Sequence, residues 1–144
     1  MRPIQQILVA TDNSDTAYRA VEAAAELAKH INAALIIVNV EQGLFDFGLE
    51  LPHHTSNTDD LLEARSQEIL LRAREHAERI GATRIRTLSG LGDAAAFILD
   101  VAKREAVDLI VLGKRGRGRL AGILLGSVSQ HVASLAPCSV QIVP

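Results

Sequence analysis

Gly113, Gly116, Gly126 and Ser127 are spaced as if to hold an anion on main-chain amides. They follow the apolar run Leu109-Ile110-Val111-Leu112, the pattern of a strand buried on both faces of a parallel sheet. Glycines after such a strand let the backbone turn and keep side chains out of the way of a ligand. Ser127, with Gln130 three residues on, has the form of a capping box, which predicts a helix opening at Ser127. A helix start facing a glycine loop presents free N–H groups and a positive dipole end, which suits phosphate. Lys114, Arg115, Arg117 and Arg119 lie in the same loop, and no Asp or Glu occurs between Leu109 and Pro144. The chain as a whole carries a net charge of −2, so the positive charge is local. The plainer alternative is a solvated basic loop whose glycines only make turns and whose Ser127 only caps, worth about 1 kcal/mol.

Other chemistries fit less well. Gly116-x-Gly118-x-x-Ala121 has the outline of a dinucleotide fingerprint, but no helix follows at once and no acid lies downstream for a ribose. No Gly-Lys-Ser/Thr opens a helix, so this is not a P-loop. Ser127 and His131 stand four apart without a Gly-x-Ser-x-Gly elbow. His53-His54 lack ligand spacing to nearby acids, and a solvated loop is the simpler reading. The lone Cys138 reads as a packed strand residue, and it excludes an internal disulfide.

Stepping along the chain gives the elements that must position these residues. Strand 1 is Ile7–Ala10, ending in the turn and cap residues Thr11-Asp12-Asn13-Ser14-Asp15. Asp12 could itself cap the next helix. Ala17, Val21, Ala24, Leu27, Ala28 and Ile31 recur at helical spacing, so helix 1 runs from Asp15 to Ile31. Strand 2 is Ala34–Val40, wholly apolar apart from Asn39. Residues 41–58 are irregular, and Phe45 and Phe47 could pack there as a flap. Helix 2 spans Leu61–Ile80, with Glu68/Arg72 and Glu75/Arg79 paired on a wet face and Gly81 as its C-cap.

Arg84–Leu88 alternates polar and apolar like an edge strand, and Gly90 and Gly92-Asp93 turn the chain into helix 3, with Ala94, Phe97, Ile98, Val101 and Ala102 as its stripe. Strand 4, the glycine loop and helix 4 from Ser127 to Leu135 follow. Ala136-Pro137 stops that helix, and Cys138–Val143 alternates as a second edge strand. Regular β-α alternation predicts an α/β fold, an open five-stranded parallel sheet with helices on both faces and right-handed crossovers. With strands 3 and 5 at the edges the order is 3-2-1-4-5. That places the topological switch between strands 1 and 4, where open sheets bind ligands.

At 144 residues, 48% apolar and 22% charged, the chain is expected to be a single domain over residues 1–144. Its slight acidity and lack of basic-aromatic interleaving argue against nucleic acid. No signal-peptide h-region or membrane-length apolar run appears, so no membrane insertion is expected and the cytoplasm is the default.

The pattern Gly113-x2-Gly116-x9-Gly126-Ser127, with ILVATDNSD, IIVNV, AVDLIVLGKRGRG and LLGSVSQHVASLAPCSVQIV around it, resembles the universal stress protein (UspA-like) family in its ATP-binding branch. The likeness runs over nearly the whole chain. It implies an adenine nucleotide alpha hydrolase-like fold and a site for ATP, with Mg²⁺ or Mn²⁺ carried largely by the phosphates and water. It also implies that Asp12 and Val40 contact the adenosine end, with Ala10 and Thr11 shaping that pocket. Gly113, Gly116, Gly126 and Ser127 would hold ribose and phosphates, helped by Val128, Ser129 and the more variable Arg115. A homodimer through the last strand is a further implication, and it suits the open edge at Cys138–Val143.

The expected function is therefore an ATP-binding regulatory or stress-response protein acting through dimer or partner contacts, its regulated partner unidentified. Two alternatives remain. One is a slow ATPase or phosphotransferase, although no base for the γ-phosphate side is evident. The other is a nucleotide-free interaction module.

Overall fold

The computed structural model describes residues 2–42, 56–114 and 125–144. Strands and helices alternate throughout them: β1 (Gln6–Ala10), α1 (Asp15–Ile31), β2 (Ala34–Glu41), α2 (Ser56–Ile80), β3 (Ile85–Leu91), α3 (Ala94–Arg104), β4 (Leu109–Gly113), α4 (Ser127–Leu135) and β5 (Ser139–Val143). The five strands form one parallel sheet in the order β3-β2-β1-β4-β5, as the polar and apolar patterning predicts.

The period of two sorts the strand residues to two cores. Ile7, Val9, Leu35, Ile37, Leu109 and Val111 face one side, where α1 and α2 cover them. Leu8, Ile36, Val38, Ile110 and Leu112 face the other, under α3 and Val132 of α4. Ala17, Ala20, Ala24, Ala25 and Ala28 make up most of the buried stripe of α1, so this helix can lie close to the sheet. Ser14 caps it, its hydroxyl accepting from Ala17 N at 3.2 Å, and Asn32 ends it in the left-handed conformation that Asn tolerates.

Several boundaries depart from the sequence reading. α2 begins at Ser56 rather than Leu61, and β3 continues through Gly90 to Leu91, so that only Gly92, at φ +113°, makes the turn. A Cβ on Gly90 would stand 2.5 Å from the Phe97 ring, so this glycine makes room for an aromatic side chain, not for a bend. In α3 the fully buried stripe is Ala95, Ile98, Val101 and Ala102, with Ala94 and Phe97 only half-buried. The Glu68–Arg72 pair forms at 2.8 Å, and a second i,i+4 pair on α2 joins Arg74 to Glu78 at 3.0 Å. Gly81 ends α2 as expected, at φ +124°.

At the amino-terminal ends of the strands, Asp108 ties the residues that lead into β1 to the start of β4. Its carboxylate accepts from the amides of Gln5 (2.9 Å) and Gln6 (3.0 Å) and from Arg2. Among the described residues no helix is long and apolar enough to cross a membrane.

Candidate functional site

The carboxyl ends of β1 and β4 lie side by side, and the helices that follow them leave toward opposite faces. After β1 the chain makes a tight polar turn. Asp12 Oδ1 accepts from Ser14 N at 3.0 Å, an Asx turn, and the Thr11 hydroxyl accepts from Asn13 N at 3.2 Å. Asp12 is thus part of the turn that leads into α1, while the cap itself is Ser14.

The first turn of α1 reaches β4. A Cβ on Gly113 would lie 3.1 Å from the backbone carbonyl group of Thr16, tight enough that α1 would have to shift by a few tenths of an ångström to admit a side chain. The acidic turn of the first strand and the glycine end of the fourth therefore meet at the switch point.

The glycine loop leaves from and returns to the same place. Lys114 O accepts from Gly126 N at 2.9 Å, and the Ser129 hydroxyl donates to Gly113 O at 2.7 Å. Lys114 N in turn donates to Val143 O at 2.7 Å, which ties the loop base to the end of β5. Gly113 and Gly126 are accordingly neighbours.

The start of α4 differs from the sequence reading. Gly126, not Ser127, is the N-cap, and it makes no side-chain capping bond. The capping box of Ser127 and Gln130 is therefore not formed. Its physical reason is register: Ser127 is already the first helical residue and is exposed, while Gln130 N donates to Gly126 O. The amides of Ser127, Val128 and Ser129 precede that first intrahelical bond, so the helix itself gives them no acceptor. No acidic residue sits in the first turn to offset its positive end. Gly126 has φ −69°, a value open to any residue.

Of the remaining predicted residues, Thr11 is buried, and Ala10 and Val40 are half-buried at the ends of β1 and β2. Val128 is half-buried and Ser129 buried. Arg115 and Gly116 lie outside the described residues, as do Phe45, Phe47, His53 and His54. Cys138 precedes β5 rather than belonging to it, and burial pushes its thiol pKa up, with the negative charge of Asp108 adding to the effect. Among the described residues no group of three or more His, Cys, Asp or Glu is placed to hold a metal.

The sequence reading gave no role to a buried polar cluster behind Val40. Asn39 Nδ2 donates to Thr11 O at 2.8 Å, and Ser66 Oγ donates to Asn39 Oδ1 at 2.7 Å. The signals available were a lone amide in an apolar strand, and a serine in phase with Ile69 and Ala73 on α2.

Comparison with known proteins matches residues 3–144 to the family model described as the universal stress protein family. Universal stress protein YxiE of Bacillus subtilis is 34% identical over 145 residues, covering 96% of this chain and 97% of that protein. A universal stress protein solved in complex with cAMP is 31% identical, superposes with a TM-score of 0.76, and covers 99% of this chain and 98% of that one. UspA from Lactobacillus plantarum superposes at 0.77 with 26% identity over the full length of both chains. The chain belongs to the universal stress protein family.

Proposed function

We propose that this chain binds ATP in the crevice between the ends of β1 and β4 and acts as a regulatory protein, one domain over residues 1–144. One observation carries the reading. The strand end at Gly113-Lys114 is latched to a helix start whose first amides have no acceptor within the helix and no side-chain cap. Such a cradle suits a phosphate oxygen in place of a capping side chain.

In this reading the amides of Ser127, Val128 and Ser129 meet the phosphates, with Gly113, Gly116 and Gly126 giving close approach and Arg115 adding charge. Asp12, Val40, Ala10 and Thr11 form the adenosine half. A Mg²⁺ or Mn²⁺ ion would enter with the phosphates, which supply the hard oxygen ligands it prefers. The relative solved with cAMP supports an adenine nucleotide as the ligand class. A homodimer through Cys138–Val143 would pair the open edge of β5. Because Lys114 N bonds Val143 O on the inner side of β5, that strand and the loop base share a hydrogen bond through which occupancy could reach the dimer.

Isothermal titration of the purified protein with ATP, with cAMP as competitor, tests the reading. Saturable ATP binding displaced by cAMP is expected. Absence of binding at millimolar ATP would leave a nucleotide-free interaction module as the better account.

A further inference from the structure

The wall behind the adenosine half of the crevice is held by a run of hydrogen bonds with a fixed direction. A carbonyl oxygen only accepts, so Thr11 O sets the amide of Asn39 with Nδ2 toward it. Oδ1 then faces Ser66, whose single hydroxyl proton must go there. Ser66 can therefore only accept from Ser89, whose Oγ lies 2.8 Å away. The same Ser89 proton has a second acceptor, Glu63 Oε2 at 2.9 Å. The inner end of the run is committed, whereas the outer end can choose between two acceptors.

These bonds join three elements to the turn after a fourth. Thr11 follows β1, Asn39 is on β2, Ser66 and Glu63 are on α2, and Ser89 is on β3. Asn39 and Ser66 are 2% and 1% exposed, deep enough that losing one partner leaves the other unsatisfied. Over residues 58–68 of α2, Ser66 is the one fully buried side chain, and Leu61 is 72% exposed. Apolar anchoring begins only at Ile69 and Leu70. The amino-terminal arm of α2 is thus held to the sheet through Ser66, with Glu63 to Ser89 and a 3.9 Å contact of Arg65 with Glu41 beside it.

We propose that Asn39 and Ser66 are positioning residues: the Thr11–Asn39–Ser66–Ser89 run holds the adenosine half of the crevice in its binding shape and hangs the arm of α2 from that half. Adenosine binding then stiffens the arm, and loosening the arm weakens adenosine binding, because coupling between two sites is reciprocal. Neither Asn39 nor Ser66 touches ligand in this scheme; both act through Thr11. The proposal rests on the nucleotide reading above.

The test separates the two halves of the ligand. Wild-type protein and S66A are titrated with ATP, adenosine and inorganic tripolyphosphate, and amide hydrogen exchange over residues 58–68 is followed with and without ATP. Adenosine affinity is expected to fall about tenfold in S66A, the effect of one buried acceptor left unpaired, while tripolyphosphate affinity is unchanged. ATP should slow exchange over 58–68 in the wild type and much less in S66A. I98V, a core truncation on the other face, controls for general loss of stability and should leave both titrations alone. Equal loss of adenosine and tripolyphosphate binding in S66A, or unaltered binding of both, overturns the proposal and leaves the nucleotide reading standing. Wild-type protein that binds neither ATP nor adenosine removes the nucleotide reading and this proposal with it.

Discussion

The hydroxyl of Ser129 donates to the carbonyl of Gly113 at 2.7 Å, so the third residue of α4 is pinned to the last residue of β4, sixteen positions earlier. Together with the bond from Gly126 N to Lys114 O, it orients the start of α4 against the end of β4. S129A should lower stability by about 1–2 kcal/mol, since the bond is partly buried, and weaken the proposed ATP binding as well. Urea denaturation and calorimetric titration of the same samples read the two effects. S129A with wild-type stability and affinity would show that the helix start needs no such pin.

Gly113 is expected to be intolerant for two reasons at once. Any Cβ there meets the Thr16 backbone at 3.1 Å, and backbone cannot swing aside as a side chain can. G113V should cost about 1–3 kcal/mol through overpacking and abolish the proposed ATP binding. The stability cost comes from the close approach of α1 to the end of β4. A denaturant midpoint equal to wild type would refute it.

Gly90 gives a cleaner packing test. G90A drives a methyl into the Phe97 ring, 2.5 Å away, and should destabilise by about 1–3 kcal/mol. In an F97L background the same substitution should cost much less, because neighbouring sites are not additive. A double-mutant cycle by thermal or urea unfolding measures the difference. Full additivity would mean that the two residues do not meet.

Asp108 sets part of the acid response. The Gln5 amide, then the Gln6 amide and Arg2, hold its carboxyl below the ordinary carboxylate range, against the opposing effect of burial. A folded-state pKa below the unfolded one means stability that is present at neutral pH and is lost as pH falls through the folded pKa. D108N should therefore be less stable than wild type at pH 7, and the gap should close in the acid range. Urea midpoints at a series of pH values check this; a gap that widens on acidification would reverse the sign.

Most of the scaffold was readable because burial on both faces leaves an unmistakable mark. Ile7–Ala10, Leu35–Val38 and Leu109–Leu112 are near-continuous apolar runs, and α1 matches its apolar spacing from Asp15 to Ile31. Strand order followed from which strands alternate. What escaped was decided by contacts distant in sequence. Whether Gly126 or Ser127 caps α4 depends on where Lys114 O lies, and Gly90 looks like a turn until Phe97 is seen beside it. Asn39 stood out as polar in strand 2, but its partners Thr11 and Ser66 are 28 and 27 positions away.

The bond between Lys114 O and Gly126 N has a practical corollary. It joins the two ends of the chain that flank residues 115–124, so β4 and α4 are fastened to each other through main-chain atoms. Lengthening a segment whose ends are already joined carries little entropic penalty. Exchanging residues 115–124 therefore tests the proposed phosphate contacts of Arg115 and Gly116 while the latch between Lys114 and Gly126 stays in place.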